Sequence, residues 1–137
     1  MNTYQRNVAA AATVGDVTTR ETHELIASDK VEGTNVYRSN GDKIGYIERI
    51  MLDKRSGKAA YAVMNFGGFL GIGEDSYPLP WSVLTYNTRL GGYEVNVTDE
   101  QLKGAPKYRR DDTWWEKSDA DRDSAIYGYW GAPPYWL

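Results

Sequence analysis

The 137-residue sequence contains no cysteine and a single histidine, His23. These absences exclude a disulfide framework, a zinc–thiolate site, a thiol nucleophile and a multi-histidine metal cage within one chain. No apolar stretch approaches the roughly 20 residues that a membrane-spanning helix needs. The alanine-rich run from Val8 to Val14 is shorter and less apolar than the core of a secretion signal. We therefore expect a cytoplasmic protein without membrane insertion.

Aromatic residues are abundant, by contrast, with 11 tyrosines and 5 tryptophans. The composition is 41% hydrophobic, which is sufficient for a buried core. A further 26% of the residues are charged, and the formal net charge is −3. The length fits one domain with tails. Pattern and charge divide the chain into an N-terminal extension (1–27), a domain (28–108) and a C-terminal helical and aromatic tail (109–137).

Short apolar runs separated by turn residues predict about six short strands between residues 28 and 108. Apolar residues on both faces of Lys43–Leu52 predict a bulge or a curled strand there. This spacing is typical of a small all-β barrel or sandwich, and closure into a barrel would hide the strand edges. The predicted strands are Thr34–Arg38, Lys43–Leu52, Ala59–Phe66, an edge strand or extended loop at Glu74–Trp81, Val83–Asn87 and Gly92–Val97.

Two helices are predicted near the C-terminus. Thr98 and Gln101 have the spacing of a capping box, and Gly104–Pro106 would end the short helix that follows. A second helix is predicted from Asp111 through Tyr127, because acidic residues in its first turn complement the helix dipole. The last segment, Gly128–Trp136, is predicted to be non-helical.

A glycine-rich segment offers the first candidate for chemistry, because Gly71-Ile72-Gly73 has the spacing that opens a phosphate-binding loop. The third glycine is replaced by Ser76, and Pro78 and Pro80 prevent the helix that such a loop requires. We interpret the segment as a structural loop that closes one end of the barrel, with positive φ at two or more of its glycines. Its residues are Gly67, Gly68, Phe69, Leu70, Gly71, Ile72, Gly73, Pro78, Pro80 and Trp81.

Other candidate sites have incomplete ligand or catalytic sets. Asp119–Asp123 resembles the opening of a calcium loop, but Ser124 and Trp130 stand where glycine and glutamate are needed. Glu21 and Glu24 could orient His23 or simply solvate it, and without a second histidine or a cysteine the sequence does not favour a catalytic role for His23. Adjacent acids such as Glu74–Asp75 leave a carboxylate pair open, although surface charge is the simpler interpretation. We therefore predict no catalytic residue, no metal site and no cofactor.

The charge distribution argues against direct nucleic-acid binding. The domain carries ten basic and ten acidic residues, and the tail carries four against six. Lys54-Arg55 and Arg109-Arg110 are isolated basic pairs, whereas nucleic-acid sites place several cations among aromatic rings to neutralise phosphates.

The tail aromatics are the candidate interaction residues, because tyrosine and tryptophan bury large areas at protein interfaces with little loss of entropy. They would contact an unidentified protein partner or a second copy in a homodimer. Packing of the same rings back on their own barrel is the alternative, and both stay open. The set comprises Trp114, Trp115, Tyr127, Tyr129, Trp130, Tyr135 and Trp136.

Residues Ile26 to Tyr108 resemble a PRC-barrel domain. The resemblance rests on Ser28–Thr34, Asn40–Gly45, Asp53–Lys58, the run Gly67–Gly73 with Pro78-Leu79-Pro80-Trp81, and Leu102–Pro106. It implies a six-stranded β-barrel. Members occur in the photosynthetic reaction-centre H subunit, in a ribosome-maturation factor and as stand-alone bacterial proteins, and this chain is similar to the stand-alone type.

The resemblance implies a protein-binding module without catalytic residues, so we expect a non-enzymatic interaction or assembly module that self-associates. A ribosome- or RNA-associated accessory protein is one alternative, which salt-sensitive RNA binding would reveal. A reaction-centre-related accessory protein is another. The last is a small-ligand binder at the barrel mouth near Phe69, Leu70 and Trp81, which would need a polar-lined pocket.

Overall fold

The computed structural model describes Glu21, residues 24–66, 75–109 and 120–137. The chain forms two compact units, residues 1–32 and 33–137. In the first unit, helix α1 (Ser28–Val31) follows an isolated bridge between Glu21 and Ile26. The division at Gly33 falls five residues after the predicted start of the domain. No helix in the described residues is long and apolar enough to cross a membrane.

The second unit is built mainly from short strands. Its strands are β1 (Asn35–Tyr37), β2 (Lys43–Leu52), β3 (Ala59–Asn65), β4 (Asp75–Pro80), β5 (Thr85–Asn87), β6 (Gly92–Glu94) and β7 (Tyr108–Arg109). Its helices are a 3-10 turn (Trp81–Val83), α2 (Asp99–Gly104) and α3 (Ala120–Trp130). The all-β prediction with a short C-terminal helix is confirmed.

The strands form one sheet in the order β5-β6-β1-β2-β3-β4-β7. Seven strands replace the predicted six, because the chain adds the two-residue β7 after α2. All pairs are antiparallel except β1 with β6, where Val36 lies opposite Tyr93. Across the described residues β5 and β7 are not paired with each other, so this sheet is open between its end strands.

Strand β2 carries the predicted bulge. Ile47 pairs with Met64 and Arg49 pairs with Val63, so Glu48 is the extra residue. A bulge turns side chains to a new face and explains why β2 has apolar residues on both sides. The displaced Glu48 carboxylate accepts a hydrogen bond from Ser76 Oγ at 3.1 Å, which links β2 to β4.

The proline-containing strand β4 is mostly an edge, as predicted. It pairs with β3 through Tyr77–Pro80, while β7 reaches only Asp75 and Ser76 on its other side. The proline part of β4 therefore borders no further strand among the described residues. Proline suits such a position because it has no N–H to donate to a neighbour.

The short helix α2 has the predicted capping box. Gln101 N–H donates to Thr98 Oγ1 at 3.1 Å, and Thr98 N–H donates to Gln101 Oε1 at 2.8 Å. The helix ends at Gly104, as the glycine and the following proline predict.

The end of helix α3 corrects the sequence prediction. The predicted start at Asp111 lies outside the described residues, but Gly128–Trp130, predicted as non-helical, belong to the helix. The helix stops at Gly131, whose φ of +67° favours glycine. Gly131 N–H donates to Gly128 O and Ala132 N–H donates to Tyr127 O, which is the Schellman pattern. The true stop signal was therefore Gly131.

Candidate interaction surface

The C-terminal segment 120–137, here called the strap, packs on strands β3 and β4. Ile126 and Tyr127 of α3 are buried to 0% and 4% exposure and join Ala60, Tyr61 and Val63 in one apolar cluster. Ile126 and Tyr127 are neighbours in a helix, so the helix presents one narrow edge to the sheet. Trp130, Ala132 and Tyr135 of the strap pack against the same cluster, and polar contacts along the strap complement this apolar contact.

Two tyrosine hydroxyls join α3 to β3. The Tyr127 hydroxyl donates to the Ala60 carbonyl oxygen at 2.5 Å, and the Tyr61 hydroxyl donates to the Asp123 carboxylate. Arg122 Nε also donates to Asp123 Oδ1, at 3.2 Å. Burial raises the pKa of Tyr127 to about 12. Burial is the main cause that raises the pKa of Tyr61 well above its ordinary value, and the hydrogen bond to Asp123 is the second cause. The hydroxyls of Tyr61 and Tyr127 therefore stay neutral hydrogen-bond donors.

Further hydrogen bonds hold the rest of the strap. Tyr129 Oη donates to the Gln101 carbonyl oxygen at 2.7 Å, which connects α3 to α2. Lys58 Nζ donates to the Tyr135 carbonyl oxygen at 3.3 Å. Burial is the main reason that the Tyr135 pKa is raised, and the charges of Asp123 and Asp53 contribute to the same shift. The chain end is therefore held at the β2–β3 turn.

The turn that receives the chain end has a defined conformation. Asp53 Oδ1 accepts hydrogen bonds from the Arg55 and Ser56 N–H groups, each at 2.9 Å. These bonds lower the pKa of Asp53, because they stabilise the ionised carboxylate. Gly57 completes the turn with a φ of +75°. The sequence thus forms a fixed platform under Tyr135.

The aromatic rings of the strap pack against one another in tilted and edge-to-face pairs. Tyr127 lies 5.6 Å from Tyr61, 5.8 Å from Tyr135 and 5.1 Å from Trp136 between ring centroids. The Tyr135 and Trp136 rings meet edge to face at 5.2 Å. Such tilted and edge-to-face pairs are the favourable geometries for aromatic side chains. Each outer ring is thereby oriented by a ring beneath it.

Part of this aromatic cluster faces solvent. Tyr129 is 42% exposed, Trp136 is 44% exposed and the terminal Leu137 is 87% exposed. Both rings are nevertheless anchored, Tyr129 by its bond to Gln101 and Trp136 by Tyr127 and Tyr135. We call the exposed strap residues Tyr129, Trp136 and Leu137 collectively the aromatic face, a name that denotes their shared exposure and not a contact between them.

The seven predicted contact residues have different environments. Trp114 and Trp115 lie outside the described residues. Tyr127 is buried against the sheet. Trp130 and Tyr135 are partly buried against the same cluster, and Tyr129 and Trp136 form the aromatic face defined above.

The residues that receive the strap were not predicted as such from the sequence. Tyr61 and Val63 alternate with Ala60, Ala62 and Met64 along β3, a period of two that places Tyr61 and Val63 on one face. That pattern marks the receiving face but does not reveal what covers it. Asp123, considered as a calcium ligand, is instead the acceptor for Tyr61.

The predicted structural loop is described only in part. Gly67, Gly68, Phe69, Leu70, Gly71, Ile72 and Gly73 lie outside the described residues, as does His23, so the prediction of positive φ stays a prediction. Pro78 and Pro80 are buried in β4. Trp81 packs edge to face on Tyr93, with ring centroids 5.4 Å apart.

The family relationship follows from residues 23–102, more than half of the chain, which match the model of the PRC-barrel domain. The chain belongs to the PRC-barrel domain family. The resemblance of the sequence motifs is therefore confirmed. Comparison with curated proteins gives no match. The match to the PRC-barrel domain ends at residue 102, whereas the strap begins at residue 120, so the strap lies outside the matched residues.

Proposed function

We propose that this PRC-barrel protein is a non-catalytic, cytoplasmic protein–protein interaction module that self-associates through its strap. The observation that carries the proposal is the aromatic face. Its two rings are held in place by the fold while more than two fifths of each stays exposed. Rings ordered before binding lose little entropy on association, which favours them as interface anchors.

Family membership supports a binding role, since PRC-barrel domains are generally non-catalytic modules. The chemistry of the strap agrees with this interpretation. The Tyr127 hydroxyl and the Asp123 carboxylate of the strap bond to Ala60 and Tyr61 of β3, so these polar groups attach the strap to the sheet. By attaching the strap, these polar groups fix the segment that carries the aromatic face.

The test is the mass of the full-length protein in solution by light scattering over a range of concentrations. We expect the wild type to approach twice the chain mass of 15.5 kDa. The double variant Tyr129→Ser/Trp136→Ser should remain a monomer, because it lacks both rings of the aromatic face. Leu52→Ser is the matched control, since Leu52 is also a large exposed apolar side chain, at 57%, but lies on β2.

The outcomes separate the parts of the proposal. A wild type that stays monomeric at every concentration refutes self-association. A dimer that survives in the double variant refutes the aromatic face as its contact. Equal loss of the dimer in Leu52→Ser would show a general effect of exposed apolar area. Circular dichroism of each variant checks that the strap helix is still formed.

A further inference from the structure

The hairpin between β1 and β2 contains Asn40-Gly41, the single asparagine–glycine pair of the sequence. The two residues of such a pair can react with each other, because the side-chain amide carbon of asparagine lies within reach of the next backbone nitrogen. Glycine has no side chain to block that approach. Both residues are exposed, and a Cβ added to Gly41 would meet nothing within 4 Å. The pair is therefore sterically open.

The folded turn holds the attacking nitrogen in another bond. Gly41 N–H donates to the Arg38 carbonyl oxygen at 2.8 Å, and Arg38 N–H donates to the Asp42 carbonyl oxygen at 2.9 Å. Gly41 has a φ of +93°, so these bonds close a three-residue loop in which a left-handed residue follows a type I turn. In the closed turn the Gly41 nitrogen thus directs its N–H at Arg38.

The side-chain amide of Asn40 is held as well. Its Oδ1 accepts a hydrogen bond from Asp42 N–H at 2.9 Å, and its Nδ2 donates to Asp42 Oδ2 at 3.1 Å. The first bond is one that asparagine commonly makes in turns, and the second adds a charged acceptor. Turning the amide toward the Gly41 nitrogen breaks these bonds, so the reaction needs an open turn.

The base of the turn is tied to the rest of the domain. The Arg38 guanidinium pairs with the Asp99 carboxylate in the first turn of α2. Strand β1 lies between β6 and β2, and its Val36 is fully buried. An exposed loop on such a fixed base opens locally, at a lower free energy than unfolding of the sheet requires.

We propose that Asn40 is a site of spontaneous deamidation that the hairpin gates, because the reaction proceeds from the open turn. The Gly41 nitrogen loses its proton to solvent and attacks Cγ of Asn40. The new N–Cγ bond closes a five-membered imide, the Cγ–Nδ2 bond breaks, and Nδ2 takes a proton from solvent and leaves as ammonia. Water then opens the imide and gives aspartate or isoaspartate at position 40. This chemistry does not depend on the proposed self-association.

Neither product fits the closed turn as well as Asn40 does. Each carries a second carboxylate beside that of Asp42 in place of the Nδ2 donor, and like charges repel. In isoaspartate the backbone also runs through the side-chain methylene, which adds one atom to the chain before Gly41. The bond from Gly41 N–H to Arg38 then has to close a larger ring. The modification therefore marks chains whose hairpin has opened and opposes its closure.

Trypsin isolates the site, because Arg38 and Lys43 flank it. Cleavage after both releases residues 39–43, in which Asn40 is the single amide side chain. The full-length protein is incubated in one mildly alkaline buffer, either native or unfolded in guanidinium chloride. Chromatography with mass spectrometry separates the asparagine, aspartate and isoaspartate forms of the released peptide. We expect the native protein to react more slowly than the unfolded chain by on the order of tenfold or more.

Asp42→Ala tests the gate. It removes the carboxylate that Asn40 Nδ2 contacts and keeps the backbone N–H and Gly41. The native variant should react about twofold to fivefold faster than the native wild type, because an exposed hydrogen bond contributes modestly to the closed turn. In guanidinium chloride the two chains should react equally. Asn40→Gln is the unreactive control, since its longer side chain would have to close a six-membered ring.

Equal rates in the native and unfolded wild type overturn gating by the hairpin, as do equal rates in native wild type and native Asp42→Ala. Absence of product in the unfolded wild type overturns the site itself. The purified isoaspartate form should melt below the wild type, while Asn40→Gln should melt at the same temperature before and after incubation. An isoaspartate form that melts like the wild type overturns the effect on hairpin closure.

Discussion

The Tyr127 hydroxyl offers a sharp test of how the strap is held. Tyr127→Phe removes a single oxygen from a residue that is 4% exposed and keeps the ring that packs on Tyr61. The lost bond joins Tyr127 to the Ala60 carbonyl oxygen at 2.5 Å inside the protein. Removing one partner of a buried hydrogen bond leaves the other unsatisfied, which costs about 1–3 kcal/mol.

We expect the lower half of that range, about 1–2 kcal/mol, because a backbone carbonyl has a second lone pair for other donors. Urea unfolding followed by circular dichroism measures this loss of stability. With a denaturant slope of about 1–3 kcal/mol/M, the midpoint should fall on the order of 0.5–1 M.

Tyr129→Phe is the matched control. Its hydroxyl also donates to a backbone carbonyl, that of Gln101, but the side chain is 42% exposed and water can replace the bond. The expected loss is below about 0.5 kcal/mol. If Tyr127→Phe lost as little stability as Tyr129→Phe, the docked strap would be refuted, because the Tyr127 hydroxyl would then be in water like that of Tyr129. Ile126→Ala, which empties a fully buried site, should cost about 2–4 kcal/mol if the strap is docked.

Three further predictions concern other parts of the molecule. The pKa of the Tyr127 hydroxyl rises from 10.0 to about 12 on folding, so the unfolded chain loses the hydroxyl proton at a lower pH than the folded chain. The free energy of unfolding should therefore fall between about pH 10 and 12. Unfolding curves measured over this pH range should show a weaker fall in Tyr127→Phe than in the wild type. Gly45→Ala should prevent folding or strongly lower the melting temperature, because its Cβ would lie 2.3 Å from the Asn65 carbonyl oxygen, and an unchanged melting temperature would contradict the strand spacing. Thr98→Ala should cost about 1 kcal/mol in urea unfolding by removing the capping bond to Gln101, and Thr98→Ser should retain most of it.

Local sequence patterns predicted the structural elements that are determined by residues close together in the chain. The alternation in Lys43–Leu52 predicted β2 and its bulge, and the Thr98–Gln101 spacing predicted the capping box. The glycine-rich and proline motifs supported the family relationship that residues 23–102 confirm. In each case the residues that determine the structure are close together in the chain, so a short window contains the full physical cause.

Elements that depend on distant partners were not predictable in the same way. The parallel pairing of Val36 with Tyr93 joins residues far apart in the chain, and no local pattern encodes it. Likewise, Gly128–Trp130 have poor helical propensity, yet they are helical because Trp130 packs on the β3 cluster and Tyr129 bonds to Gln101. Tertiary contacts thus override local preference at the end of α3.

The sequence by itself determined that thiol and multi-histidine chemistry is excluded, that the domain is an all-β PRC-type fold and that the surplus of aromatic residues lies in the tail. Only the tertiary structure decided which rings are buried and which are exposed. Tyr127 and Trp136 are both aromatic residues of the same segment, but Tyr127 lies against Tyr61 and Ala60 while Trp136 lies above it. Burial is a property of the face that a side chain meets, and that face was supplied by β3, more than 60 residues earlier in the chain.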